Sequence, residues 1–284
     1  MAFAALPFSG TLADKLAASR PEQGVALYWL GQAGFLIDTG KNRLVIDPYL
    51  SDALAEKYRN RGFSHERMMA PPIAIAELPA VDFVFCTHFH TDHMDGATLV
   101  PIAGRFPAVR FVVPEASLAV AQEKTGLGLE WFIGMDAGRK LDLGGGIKVS
   151  ALRAAHEDLT QDEAGRHVFL GYGIEVNGIR IFHSGDTIPF EGQKAEIEAL
   201  APDIALFPVN GRSRALSSAG IAGNFTLDEA AEIASACAIP IVLAHHYGMF
   251  AFNTIAPDLI DAKSAAMRGG SRLFRACEGI EYRL

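Results

Sequence analysis

Cysteine is scarce in this chain: Cys86, Cys237 and Cys277 are the only three in 284 residues, and none forms a C-x-x-C pair. That excludes a disulfide framework and a thiolate zinc knuckle. No run of roughly 18 or more apolar residues occurs, so no segment reads as a membrane span. The N-terminal MAFAALPFSGTLADKL has no basic stretch ahead of its short apolar run, and no signal peptide is read there. GLGL (126–129) and LGGG (143–146) read as turns, neither being a G-x-G-x-x-G that opens a helix after a strand, so nucleotide binding is rejected. G-x-S-x-G is missing as well, which removes the serine-hydrolase elbow. Positive charge is in the minority, 25 Lys plus Arg against 33 Asp plus Glu, for a net charge of -8. That balance opposes non-specific attraction to nucleic acid or an anionic membrane. There is no Pro/Gly/Ser linker and no internal repeat, so residues 1–284 are expected to form one domain of a soluble, cytoplasmic protein.

Half of the residues are hydrophobic and a fifth are charged, enough apolar side chains for a sizeable core. Short β-type runs recur throughout: 25–30, 34–38, 43–47, 81–86, 110–113, 147–154, 170–176, 179–183, 203–209 and 239–244. Asn177-Gly178 between two of them is a strong hairpin signal. Helical patterns lie at 114–126, at 226–238 (where Thr226 and Glu229 have capping-box spacing) and at 257–269. Hairpins first and helical crossovers later predict a mixed α/β or α+β sandwich. Residues 49–72 and 210–224 lack periodicity, and loops of that length in a compact domain are usually lids or binding segments.

THFHTDHMDG, residues 87–96, places three histidines and two aspartates just after the apolar run VDFVFC. With nine histidines in the whole chain, three within six positions is not an accident of composition. Imidazole nitrogens and a carboxylate are ligands that zinc, manganese and iron accept. In an extended turn His88 and His90 point the same way, while Asp92 and His93 can swing to a second point nearby. One segment can thus serve two ions with two ligands each. The remaining ligands are expected at other strand ends: His156 after IKVSALRAA, Asp186 after IRIFHSG, and His245 or His246 after IPIVLA. Cys86 reads as a small core residue, and His65 and His167 read as solvated loop histidines.

HFHTDH matches the H-x-H-x-D-H motif of the metallo-β-lactamase superfamily, and the later His, Asp and His follow in that superfamily's order. YWLGQAGFLID, LVIDPYL, HSGDT and AHHYGMF resemble the branch that contains L-ascorbate-6-phosphate lactonase, related metal-dependent hydrolases and N-acyl phosphatidylethanolamine phospholipase D-like proteins. The resemblance runs from about Leu27 to Phe250 and implies a four-layer αββα sandwich with a metal site at one edge. It implies that His88, His90 and His156 hold a first ion and that Asp92, His93 and His246 hold a second, with Asp186 bridging. His246 is chosen because AHHYGMF resembles the P-x-H-Y-x-T-F pattern of relatives, and since adjacent strand residues face opposite ways His245 is not expected to bind the same ion. Asp47 and His183 are candidates for orienting the ligating imidazoles. For His183 a satisfied core histidine is an equal alternative.

Two divalent ions, zinc by default and manganese by resemblance to the lactonase, would activate a bridging water as hydroxide. Asp92 or Asp186 would carry the proton. The expected substrate is a small ester, a lactone or a phosphorylated sugar-like molecule. Arg67, Arg212 and Arg214 in the aperiodic stretches are candidates to hold it if it is anionic. Phosphodiester cleavage, phospholipase D-like or nuclease-like, is the alternative. A redox diiron protein of the same fold and a non-catalytic binding module rank below it. Flavo-diiron relatives carry Glu at the Asp92 position and add a flavin domain for which no sequence remains. Because relatives are often oligomeric, a homo-oligomer is also in view.

Overall fold

Two β-sheets pack face to face in the structure, a computed structural model that describes residues 2–284. The first has eight strands in the spatial order Ala4–Pro7, Ile280–Arg283, Ala26–Gly31, Gly34–Asp38, Arg43–Ile46, Phe83–Phe85, Arg110–Pro114 and Phe132–Met135. The second has seven: Arg272–Arg275, Ile241–His245, Ile204–Pro208, Ile179–His183, Leu170–Val176, Ile147–Arg153 and Lys140–Gly144. The strands Ala26–Gly31, Gly34–Asp38 and Arg43–Ile46 of the first sheet are buried on both faces, which is why they read as continuous apolar runs. Leu27, Trp29, Phe35, Ile37 and Phe85 turn inward to meet Val149, Tyr172, Ile174 and Ile181 of the second sheet. Tyr28, Leu36, Val45, Val84 and Cys86 turn outward, beneath Leu16, Leu99, Ile102 and Ala121 of the covering helices. Ile197, Ala230, Ala234 and Ile260 come from helices that cover the other sheet. Helices outside two sheets is the expected αββα layering.

Every strand expected from the sequence is present, with ends that shift by no more than two residues. Asn177 and Gly178 both have positive φ, 53° and 77°, as a two-residue type I′ hairpin turn requires. The capping box of Thr226 and Glu229 starts the helix Leu227–Ala236. Both aperiodic stretches hold a short helix, Ala53–Lys57 and Arg214–Ser218. The helix Gly96–Arg105, with Pro101 inside it, follows the histidine-rich turn directly and starts at Asp95, whose side chain accepts from the Ala97 N–H. Asp95 also accepts from the Ser51 hydroxyl at 2.6 Å, which ties residues 49–72 to this helix.

Strand direction positions the site. Arg43–Ile46, Phe83–Phe85 and Arg110–Pro114 are parallel neighbours, as are Ile179–His183, Ile204–Pro208 and Ile241–His245. Parallel strands deliver their carboxyl ends to one edge of their sheet, and ligands in such sheets gather beyond that edge. Asp47, His88, Asp186 and His246 all lie within four residues of such an end.

Candidate metal centre

Because Arg43–Ile46 and Phe83–Phe85 pair in parallel, Asp47 and Thr87 emerge side by side. The Thr87 backbone N–H and hydroxyl donate to the two oxygens of Asp47, each at 2.7 Å. His93 Nδ1 donates to Asp47 Oδ2 at 2.7 Å. Since the Thr87 hydroxyl has given its hydrogen to Asp47, it accepts from His88 Nδ1 at 3.1 Å. One buried carboxylate therefore orients His93 directly and His88 through Thr87, leaving Nε2 of each ring for the centre. His156 is fixed in the same manner, its Nδ1 donating to the Gly223 carbonyl at 3.1 Å.

Three groups of side chains could each hold an ion: His88 with His90 and His156; Asp92 with His93 and His246; and His88 with His93 and Asp186. Within each group the ligand atoms lie within 4.8 Å of one another. Asp186 Oδ2 lies 3.3 Å from His93 Nε2, 3.1 Å from His246 Nε2 and 3.8 Å from His156 Nε2, so it touches both histidine groups. The donor set fits a divalent cation on its own chemistry. His88 Nε2, His93 Nε2 and Asp186 Oδ1 are buried with no hydrogen-bond partner. Buried polar atoms are rarely left so, and divalent cations held among these side chains would satisfy them. Nitrogen and carboxylate donors without thiolate suit zinc, manganese or iron.

Burial pushes His88 well below the ordinary histidine range, His90 down to about 4, and His156 down as well. These three rings are neutral at pH 7, with a lone pair to offer. His93 goes the other way: burial would lower it, but the carboxylates of Asp186, Asp47 and Asp92 together raise it well above the ordinary value. Asp186 falls well below the usual carboxylate range because His246 and His93 outweigh the effect of burial. Asp92 is likewise lowered despite burial, by His93 and His246 and by a hydrogen bond from Gln32.

Gln32 is the residue that sequence reasoning missed. It sits fully buried in the turn between Ala26–Gly31 and Gly34–Asp38, at a left-handed φ of 48°. Its side-chain N–H donates to Asp92 Oδ2 at 2.9 Å, and its backbone carbonyl accepts from the His246 N–H at 2.9 Å. The only signal was GQAG, a polar residue at a tight hairpin turn in an otherwise apolar stretch.

Several expectations need correction. His183 belongs to the core: its Nε2 donates to the Ala33 carbonyl at 2.8 Å and its Nδ1 accepts from the Gly185 N–H at 3.0 Å, so it orients no ligating ring. Arg67 pins its own loop, donating to the carbonyls of Tyr49, Ser51 and Met69 at 2.9, 3.1 and 3.0 Å. Arg212 is held by both oxygens of Glu229 at 2.7 and 2.6 Å, and Arg214 begins a short exposed helix; none of the three arginines lines the cleft. His65 is half-buried rather than solvated, stacked on Tyr58 with centroids 4.1 Å apart. His167 is half-buried against Asp136. Cys86 is a buried core thiol, as expected. His245 faces the interior with its ring centroid 4.9 Å from that of His183, while His246, at φ 63°, faces Asp186.

A family model described as a beta-lactamase superfamily domain matches residues 42–247. The chain belongs to the metallo-β-lactamase superfamily. A relative in Caldivirga maquilingensis, called a metal-dependent hydrolase, is 28% identical over 185 residues, covering 65% of this chain and 70% of its own. N-acyl-phosphatidylethanolamine-hydrolyzing phospholipase D 1 of Caenorhabditis elegans is 29% identical over 109 residues, 38% of this chain but only 29% of that protein. Among solved structures, the metallo hydrolase Igni18 of Ignicoccus hospitalis superposes with a TM-score of 0.64 at 22% identity, covering 92% of this chain and 97% of its own. That superposition speaks for the shared metallo-β-lactamase fold. No helix among the described residues is long and apolar enough to cross a membrane.

The facing of the histidine pair predicts different failures. His246→Ala is expected to cost the Asp92–His93 group its ion while the fold holds. His245→Ala is expected to keep the full metal content but lose about 2–4 kcal/mol of stability from the core cavity it leaves. Metal analysis alongside urea unfolding checks both, and equal metal loss in the two variants would contradict the facing. Protonation gives a second prediction. A His93 raised well above the ordinary value carries a proton at pH 7 that an ion at Nε2 must displace. Loading the Asp92–His93–His246 group should therefore release about one proton per ion, and its affinity should weaken as pH falls. The His88–His90–His156 group starts neutral and should release almost none. Calorimetric titration in buffers of different ionisation enthalpy measures the count, and equal release at both groups would contradict the assignment.

Proposed function

We propose that this protein is a hydrolase that uses two divalent ions, zinc or manganese, on a small ester, lactone or phosphorylated sugar-like substrate. In this reading His88, His90 and His156 hold one ion, Asp92, His93 and His246 hold the other, and Asp186 is shared. The observation that carries it is the pair of ligand groups meeting at Asp186, with the buried atoms His88 Nε2, His93 Nε2 and Asp186 Oδ1 left without a hydrogen-bond partner. Metal-dependent hydrolysis is also what the names of the relatives describe.

When bound, such ions supply Lewis acidity and bring the pKa of a water close to neutrality. The protein's own residues do the rest. The substrate enters a cleft of about 250 Å³ that reaches His90, Asp92, His156, Asp186 and His246. Phe250 and Phe252 line it, with Tyr58 and His65 from residues 49–72 and Ile221 and Ala222 from residues 210–224. Glu157 holds that last stretch in place, accepting from the Gly223 N–H at 3.1 Å and from the Ser217 hydroxyl. Asp92 suits proton transfer to a leaving group: it is ionised, it opens onto the cleft with 18% of its side chain exposed, and Gln32 fixes one oxygen. Asp186 is more enclosed, with 4% exposed, and suits bridging.

The test is turnover of a simple ester, a lactone and a phosphodiester by protein loaded with zinc or manganese. Ester or lactone hydrolysis is expected, lost with a chelator and restored by the ion. Turnover of the phosphodiester alone would replace this substrate class, and hydrolysis indifferent to chelation would end the reading.

A further inference from the structure

The net charge is -8, yet in the cleft acids do not outnumber lysines. Its only acids are Asp92 and Asp186, both claimed as metal ligands, while Lys57 and Lys124 line it as well. Among the described residues neither lysine has a carboxylate within ion-pair distance. Lys57 is exposed and Lys124 half-buried; the half-buried Arg67 likewise meets only carbonyls, whereas Lys15, Arg43 and Arg153 each meet a carboxylate. Lys124 is half-buried and spends its three N–H groups on the histidine-rich turn, donating to the carbonyls of Phe89 and Met94 and to the Thr91 hydroxyl. It contributes charge rather than a free donor. Lys57 ends the short helix Ala53–Lys57, its Nζ making no hydrogen bond to any described residue and lying 5.3 Å from the centre of the Tyr58 ring. Beside it, Tyr58 and His65 stack, and His65 meets Phe252 edge-on with centroids 4.7 Å apart.

Two cations without counter-ions beside an aromatic wall are an arrangement for a ligand with a charged end and an apolar body. Resting on the hydrolase reading above, we infer that the cleft selects substrates carrying a compact anion, a phosphate or carboxylate, which Lys57 binds within the field of Lys124 while the Tyr58–His65–Phe252 wall takes the apolar part. The anion-binding role thus falls to lysines at the cleft and not to the arginines of the two loops. Low-dielectric walls strengthen such a field well beyond its value in water.

The experiment compares phenyl acetate with 4-carboxyphenyl acetate as substrates of zinc-loaded protein, and measures binding of inorganic phosphate and of benzoate to metal-free protein. Wild type is expected to favour the anionic ester in kcat/KM. Lys57→Met should reduce that preference about tenfold, as loss of a charge-assisted contact would, and should weaken phosphate or benzoate by a similar factor. Lys57→Arg, which keeps the charge, should preserve both. Lys124 is left intact, since it anchors the metal-binding turn. Whichever of phosphate and benzoate binds more tightly in a Lys57-dependent way identifies the anion. If Lys57→Met keeps the wild-type ester preference and binds both anions as wild type does, the inference is overturned. If neither ester is hydrolysed but anion binding still depends on Lys57, the anion site stands and the hydrolase reading fails.

Discussion

The buried carboxylate of Asp47 is the fixed point of the centre. It lies at the end of one parallel strand beside the end of the next, and it takes hydrogen bonds from the Thr87 backbone, the Thr87 hydroxyl and His93 Nδ1. A buried carboxylate is costly unless its lone pairs are filled, and the parallel pairing of the two strands brings the donors that fill them. In return it holds two imidazole rings with Nδ1 turned toward the protein and Nε2 toward the centre. Gln32 plays the corresponding part on the other side, with its amide on Asp92 and its carbonyl on the His246 backbone.

Electrostatics divides the two ligand groups. His88, His90 and His156 are governed by burial and stay neutral, whereas His93 is governed by the three carboxylates around it. Two ligand groups so divided would take up ions at different proton cost. The cluster of like and unlike charges is sustained by neighbours that do not ligate: Asp47, Thr87, Gln32 and the Gly223 carbonyl.

How much of this was legible in the sequence depended on how locally the chemistry was written. HFHTDH compresses four candidate ligands into six residues, and the apolar run before it marked the strand, so the candidate centre and its place at a sheet edge could both be read. The choice of His246 over His245 rested on the resemblance of AHHYGMF to relatives, strand alternation adding only that the two rings face opposite ways, and the structure places them on opposite sides. Gln32 was not legible because its meaning lies in residues far along the chain, Asp92 and His246. The arginines misled for a related reason. Glu229 was recognised as half of a capping box, but nothing local said that the same carboxylate would also capture Arg212. Edge strands such as Ala4–Pro7, mostly exposed and only four residues long, carry too little pattern to be seen.

The central claim is that two ions share Asp186. Anomalous diffraction from zinc-loaded crystals, collected on both sides of the zinc absorption edge, addresses it most directly. The account predicts two peaks roughly 3.5–4 Å apart, as in other two-metal sites, one ringed by His88, His90 and His156 and the other by Asp92, His93 and His246, with the Asp186 carboxylate between them. A single fully occupied peak at saturating zinc, or a second peak away from His93 and His246, would contradict it.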